Sequence, residues 1–185
     1  MLRWLKGRGR AKQRSPSLPT VKFDRALVSV TIRADLRANI EAIEGIDSPH
    51  VEPIYRAAVE AINRGGDLHL LANSIIELDL AGIDRVRAAS IARSLSSAAS
   101  ALISDQQYAA MGIESAKWLY SGAPCHSGRT NASAAQLRQD AAHRAANGKL
   151  YRVGEGILLD GKWTLPGRER DCKCVSTAVI PGFDD

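Results

Sequence analysis

The sequence predicts a mainly α-helical domain followed by a small C-terminal α+β module, and three observations carry that prediction. Aromatic residues make up only 5% of the chain while Ala and Ser are abundant, a composition suited to close-packed helices rather than to a sandwich of bulky strands. From Asp24 to Gly112 apolar residues recur at helical spacings, punctuated by Asp and Gly. After Gly112 the pattern breaks into short extended runs, and all three cysteines fall there. The expected division is a basic flexible arm over 1–22, a helical domain over 23–112 and an α+β module over 113–185. With 45% apolar residues, the chain can support one ordinary core or two small ones.

The arm holds Arg3, Lys6, Arg8, Arg10, Lys12, Arg14 and Lys22 with no acidic residue. The remainder carries 18 basic against 20 acidic residues, so the formal charge of +5 belongs to the arm and not to the fold. Such a cluster suits a polyanionic partner, and these seven residues are the candidate DNA contacts, made to phosphates without reading sequence. Pro16 and Pro19 interrupt any helix and favour extended backbone. Leu2, Trp4 and Leu5 leave open a short amphipathic helix on a membrane surface, which Gly7 and Gly9 would soon break. No run of about 18 apolar residues is present to span a bilayer, and KGRGRAKQR after Leu5 is unlike a secretory signal. A cytoplasmic site of synthesis is therefore expected, where three cysteines are thiols or metal ligands rather than a disulfide framework.

Helical signals follow in order. VSVTIRADLRANIEAIEG is ambiguous at its start, where Val28, Val30 and Ile32 alternate like a strand, and Gly45 closes it. Asp47-Ser48-Pro49 offers a start for VEPIYRAAVEAINRGG, in which Ile54, Ala58 and Ile62 share a face and Gly65-Gly66 is a stop. Asp67 can cap LHLLANSIIELDLAG. The longest helix is expected from near Asp84 to about Met111, with Ala88, Ile91, Leu95, Ala98 and Leu102 as one apolar seam. Ser94, Ser96, Ser97 and Ser100 beside that seam allow close approach by neighbours.

Beyond Gly112, Lys117 to Tyr120 reads as a strand and ASAAQLRQDAAHRAANG as a helix closed by Asn147-Gly148. So few large apolar side chains make a poor core alone, so the module needs a staple, docking onto the helices, or both. Cys172 and Cys174 at i and i+2 would project to one side of an extended segment. With Cys125 and with His143 on the predicted helix they make a Cys3His set suited to tetrahedral zinc. His126 is a rival ligand, and three thiols with a solvent-facing histidine are the alternative. A closed four-ligand site leaves no open position for catalysis. The zinc deaminase pattern is missing, because His143 is followed by Arg144-Ala145 and one residue separates Cys172 from Cys174. No nucleophile elbow or phosphate loop is present either, so an enzyme is not expected and no residue is assigned a catalytic role.

The stretch RVRAASIARSLSSAASALISDQQYAAMGIESAKWLYSGAPC, continued by LRQDAAHRAANGK and EGILLDGKWTLPGRERDCKCVSTAVIP, resembles the Mu F-like minor head proteins of tailed bacteriophages. The order of elements carries the resemblance: a long helix, a Gly-Ile step, a Trp-containing strand, then Arg, His, Gly, a Pro-Gly turn and Cys-x-Cys. It covers roughly 54–181, more weakly before Arg85, and matches Arg138, His143, Gly148, Pro166, Gly167, Cys172 and Cys174. Gly128 stands where many relatives have a further Cys, which shifts the ligand set toward His143. The resemblance implies a structural protein in few copies per head, inside the capsid near the portal, acting in head assembly, genome packaging or DNA ejection. Its partners would be the portal, the major capsid protein and packaged DNA, and it would pass through the host cytoplasm during assembly. A zinc-stabilised DNA-binding protein outside any virion is the alternative.

Overall fold

The computed structural model describes residues 28–126, 132–180 and 182. The arm over 1–22, with Arg3, Lys6, Arg8, Arg10, Lys12, Arg14 and Lys22, lies outside the described residues, as does Gly128.

Four helices build the first part: α1 (Val30–Glu41), α2 (Ser48–Asn63), α3 (Leu68–Glu77) and α4 (Arg85–Ala110). Three of them begin where a short polar side chain satisfies a free backbone N–H group. The Ser29 hydroxyl accepts from Ile32 N, Asp67 from Leu70 N and Asp84 from Arg87 N. α2 starts after Asp47 with Pro49 in its first turn, where the missing N–H costs nothing. The ambiguous start resolves as helix from Val30 onward, with Val28 just before the Ser29 cap; Val28 and Ile32 are buried and Val30 is exposed, so the three do not share one strand face. α1 ends four residues before Gly45, and the turn that follows still buries Ile43 and Ile46.

The seam on α4 is the spine of the core. Ala88, Ile91, Leu95, Ala98 and Leu102 are all buried, and most of them pack with Ile32, Leu36, Ile40, Ile54, Leu71 and Ile75 in one cluster. At roughly 25 cal/mol per Å² of apolar surface removed from water, such a cluster is the main favourable contribution to folding. One further turn along the seam lies Asp105, 9% exposed, whose two carboxylate oxygens accept from Gly154 N at 3.2 and 3.0 Å. Burial pushes its carboxyl above the usual range, against the opposing Gly154 N–H and the charge of Arg168.

The C-terminal part holds β1 (Ser115–Leu119), α5 (Ala134–Ala145), β2 (Leu150–Arg152), β3 (Ile157–Leu159), β4 (Lys162–Thr164) and β5 (Val175–Ala178). β1 is the central strand of an antiparallel sheet in the order β2-β1-β5, and β3 pairs with β4 in a separate hairpin. α5 opens with a capping box, in which the Ser133 hydroxyl accepts from Gln136 N while the Gln136 side chain accepts from Ser133 N. After α5 the chain latches onto β1: Gly148 N donates to Trp118 O at 2.7 Å and Trp118 N to Lys149 O at 2.9 Å. Gly148 makes that turn with φ of +79°.

Among the described residues, this part has only a small apolar core of its own. Ala116, Tyr151 and Leu165 join the cluster built by the helices, leaving a second small cluster of Trp118, Cys125, Ala146, Cys172 and Cys174. Polar contacts reinforce the docking. Asp171 N donates to the Ser94 hydroxyl at 2.8 Å, and Arg168 pairs with Asp35 at 2.6 Å. The Pro166-Gly167 turn rides on α4, where a Cβ at Gly167 would stand 3.2 Å from Cys174 O and 3.7 Å from the Ala101 methyl. The small residues beside the seam are thus what lets the turn approach.

Candidate metal centre

Three separate segments deliver the four side chains. Cys125 follows β1, His143 lies in the last turn of α5, and Cys172 and Cys174 precede β5. The Cys-x-Cys pair is in a loop rather than in a paired strand, yet it keeps the extended alternation: both sulfurs point inward and Lys173 is exposed. All four residues are at most 3% exposed, and their donor atoms lie within 4.8 Å of one another. The Cys125 Sγ stands 4.0 Å from Cys172 Sγ and 3.7 Å from Cys174 Sγ. His143 Nδ1 stands 3.3 Å from Cys172 Sγ and 3.9 Å from Cys174 Sγ. These sulfur separations far exceed a disulfide bond of about 2.05 Å, and the cysteines are free thiols. The cluster could hold one metal ion. His126 is not part of it.

The ligand-bearing segments are fixed by polar groups that sequence reasoning did not single out. Asp140, one helical turn before His143, is 6% exposed and accepts from Cys125 N and from the Tyr120 hydroxyl, both at 2.8 Å through Oδ1. Its Oδ2 accepts from Arg144 at 3.0 Å. One face of α5 thereby carries both a candidate ligand and the anchor of another. Lys173 donates from its ammonium to Pro124 O at 2.6 Å and to His126 O at 3.3 Å, gripping the same loop from the opposite side. Gly167 N donates to the Cys172 sulfur at 3.3 Å. Trp118, fully buried, meets the His143 ring edge to face at 5.0 Å between centroids. The i−3 spacing of Asp140 from His143 was an available signal for these supports; Trp118 was read as part of a strand, but nothing in the sequence set it against His143, and Lys173 carried no signal.

Electrostatics at the cluster is that of shared protons. Burial opposes an imidazolium at His143, but Cys125, Cys172 and Glu169 outweigh it and push its pKa up to about 11. Hydrogen bonds from Cys172 and Cys174 hold the Cys125 thiol far below its ordinary value, while the resulting thiolate raises Cys174. These shifts run in the direction that favours a thiolate at Cys125 and a charged imidazole at His143, and a cation bound by such donors would displace their protons. Burial also opposes ionisation of Asp140, and the donors Cys125 N–H, Tyr120 and Arg144 overcome it and keep the carboxyl below its usual range.

Of the residues matched by the resemblance, His143, Cys172 and Cys174 meet in the cluster, Gly148 and the Pro166-Gly167 turn make the close approaches described above, and Arg138 is exposed on α5. Comparison of the chain with family models, with curated proteins and with solved structures found no match. None of the helices among the described residues is long and apolar enough to cross a membrane.

Proposed function

We propose that Cys125, His143, Cys172 and Cys174 bind one zinc ion that staples the α+β module, and that the protein is a non-enzymatic structural component. The spacing of the donor atoms carries this reading. Tetrahedral zinc with Zn–S of about 2.3 Å and Zn–N of about 2.0 Å requires S···S edges near 3.8 Å and S···N edges near 3.5 Å. Four of the six separations, 3.7 and 4.0 Å between sulfurs and 3.3 and 3.9 Å from sulfur to nitrogen, straddle those edges, and all six lie within 4.8 Å. Three soft thiolates with one imidazole favour zinc over hard cations, which take oxygen ligands. Four protein ligands leave no position for water or substrate, so the ion would hold structure and not perform chemistry.

On the resemblance to the Mu F-like family, the structural role we propose is that of a minor head protein of a tailed bacteriophage, inside the head near the portal. In that role it acts in head assembly, packaging or ejection, with portal and major capsid protein as partners and the basic arm on packaged DNA. A stapled module on a helical platform suits a component that must keep its shape while larger assemblies form around it. The test is to express the chain with the portal and capsid genes of its own genome, purify the heads and probe them for it. The chain is expected in DNA-filled heads at low copy. Its absence from heads, with sequence-independent DNA binding retained, would favour the reading as a free DNA-binding protein.

A further inference from the structure

The non-ligating nitrogen of His143 has a partner whose purpose the zinc proposal does not itself explain. Its Nε2 faces Glu169 Oε2 at 3.6 Å, an ion-pair separation, in a pocket where His143 is 1% and the Glu169 side chain 14% exposed. A buried ring N–H needs an acceptor; at 3.6 Å the Glu169 carboxylate makes an ion pair, and a shift of a few tenths of an ångström brings it into accepting range. Glu169 is itself held: Lys162 Nζ on β4 lies 3.8 Å from its other oxygen. The β3-β4 hairpin is therefore tied to the cluster through this carboxylate.

Resting on the zinc reading, we propose that Glu169 is a positioning residue for the metal: it fixes His143 as an Nδ1 ligand with the proton on Nε2. A carboxylate facing the far nitrogen sets the tautomer, orients the ring and makes the ligating nitrogen more basic. Without it the imidazole is free to place its proton on either nitrogen, and only one tautomer leaves Nδ1 able to coordinate. Lys162 supports Glu169 from outside, and its charge offsets the negative charge that three thiolates and a carboxylate bring to one pocket.

The experiment uses the full-length chain and its Glu169→Ala and Glu169→Gln variants, with zinc affinity read by competition against a chelator. Nitrogen NMR of the imidazole reports the tautomer. The alanine variant is expected to bind zinc about 10- to 100-fold more weakly, with a smaller loss for glutamine, whose amide oxygen can still accept from Nε2. The wild-type zinc form should show a slowly exchanging proton on Nε2, and that proton should exchange rapidly in the alanine variant. A wild type that binds no zinc overturns the zinc reading and this inference together. A wild type that binds zinc, with both variants equal to it or with His143 bound through Nε2, overturns this inference alone. If the alanine variant fails to fold, the glutamine variant and the wild-type tautomer still decide the matter.

Discussion

Replacing Asp140 separates hydrogen bonding from charge at the anchor of the metal loop. Both buried bonds, from Cys125 N and from the Tyr120 hydroxyl, converge on Oδ1, while Oδ2 serves only the exposed Arg144. Asp140→Asn keeps an oxygen at Oδ1 with two lone pairs, so it can retain both bonds and lose only the contact with Arg144. Asp140→Ala leaves the buried Cys125 N–H without an acceptor, at a cost of about 1–3 kcal/mol, and frees the half-buried Tyr120 hydroxyl for a smaller loss. The expected destabilisation is about 2–4 kcal/mol for alanine and under about 1 kcal/mol for asparagine, whose lost ion pair is at the surface. Urea unfolding of the zinc-loaded proteins at neutral pH measures both. The pH dependence carries a second check. Because the folded-state carboxyl is depressed, its contribution is present above the ordinary Asp pKa and is lost as pH falls through the folded value. The gap between wild type and the asparagine variant should therefore close on acidification. The reasoning is refuted if alanine is no worse than about 0.5 kcal/mol or if asparagine is as damaging as alanine.

Asp105 behaves in the opposite sense. Its folded-state carboxyl is raised by burial, so it favours the fold in acid and costs stability as pH rises through the folded value. Asp105→Asn, which can still accept from Gly154 N, is expected to match or exceed wild-type thermal stability at neutral pH and to lose any advantage in acid; destabilisation beyond about 1 kcal/mol would contradict this. Gly156→Ala should cost about 1–3 kcal/mol, because Gly156 has φ of +81° and a Cβ there would overlap the Thr164 carbonyl oxygen; a calorimetric scan indistinguishable from wild type would show that the β3-β4 hairpin relaxes freely. Deleting residues 1–22 should remove most DNA affinity and flatten its salt dependence, which is about −0.9 in log-log slope per neutralised phosphate; unchanged binding would assign the contacts to the rest of the chain.

Where the sequence was read successfully, the determining physics is local. Asp67 and Asp84 announce their helices because a cap bonds only three residues ahead, and the α4 seam is visible because one helix fixes which residues share a face. The Cys3His set was legible for a different reason: the module holds only one other thiol or imidazole donor, His126, so composition substituted for long-range geometry. Val28, Val30 and Ile32 were ambiguous because three alternating residues fit either period until the neighbours that bury Val28 and Ile32 are known. Asp140, Glu169 and Lys173 were not identified, since their roles depend on partners such as Tyr120, His143 and Pro124 brought close only by folding. The docking of Ala116, Tyr151 and Leu165 onto the helices was foreseen only as a need, because nothing in a linear pattern states which face receives them.

X-ray absorption at the zinc edge, on protein purified without chelators, reads the ligand set of the metal centre itself. One zinc per chain is predicted, with three sulfurs at about 2.3 Å and one nitrogen at about 2.0 Å, and with one sulfur lost in Cys174→Ser. A folded protein without zinc, or a zinc shell dominated by oxygen, would contradict the assignment of Cys125, His143, Cys172 and Cys174 as its ligands.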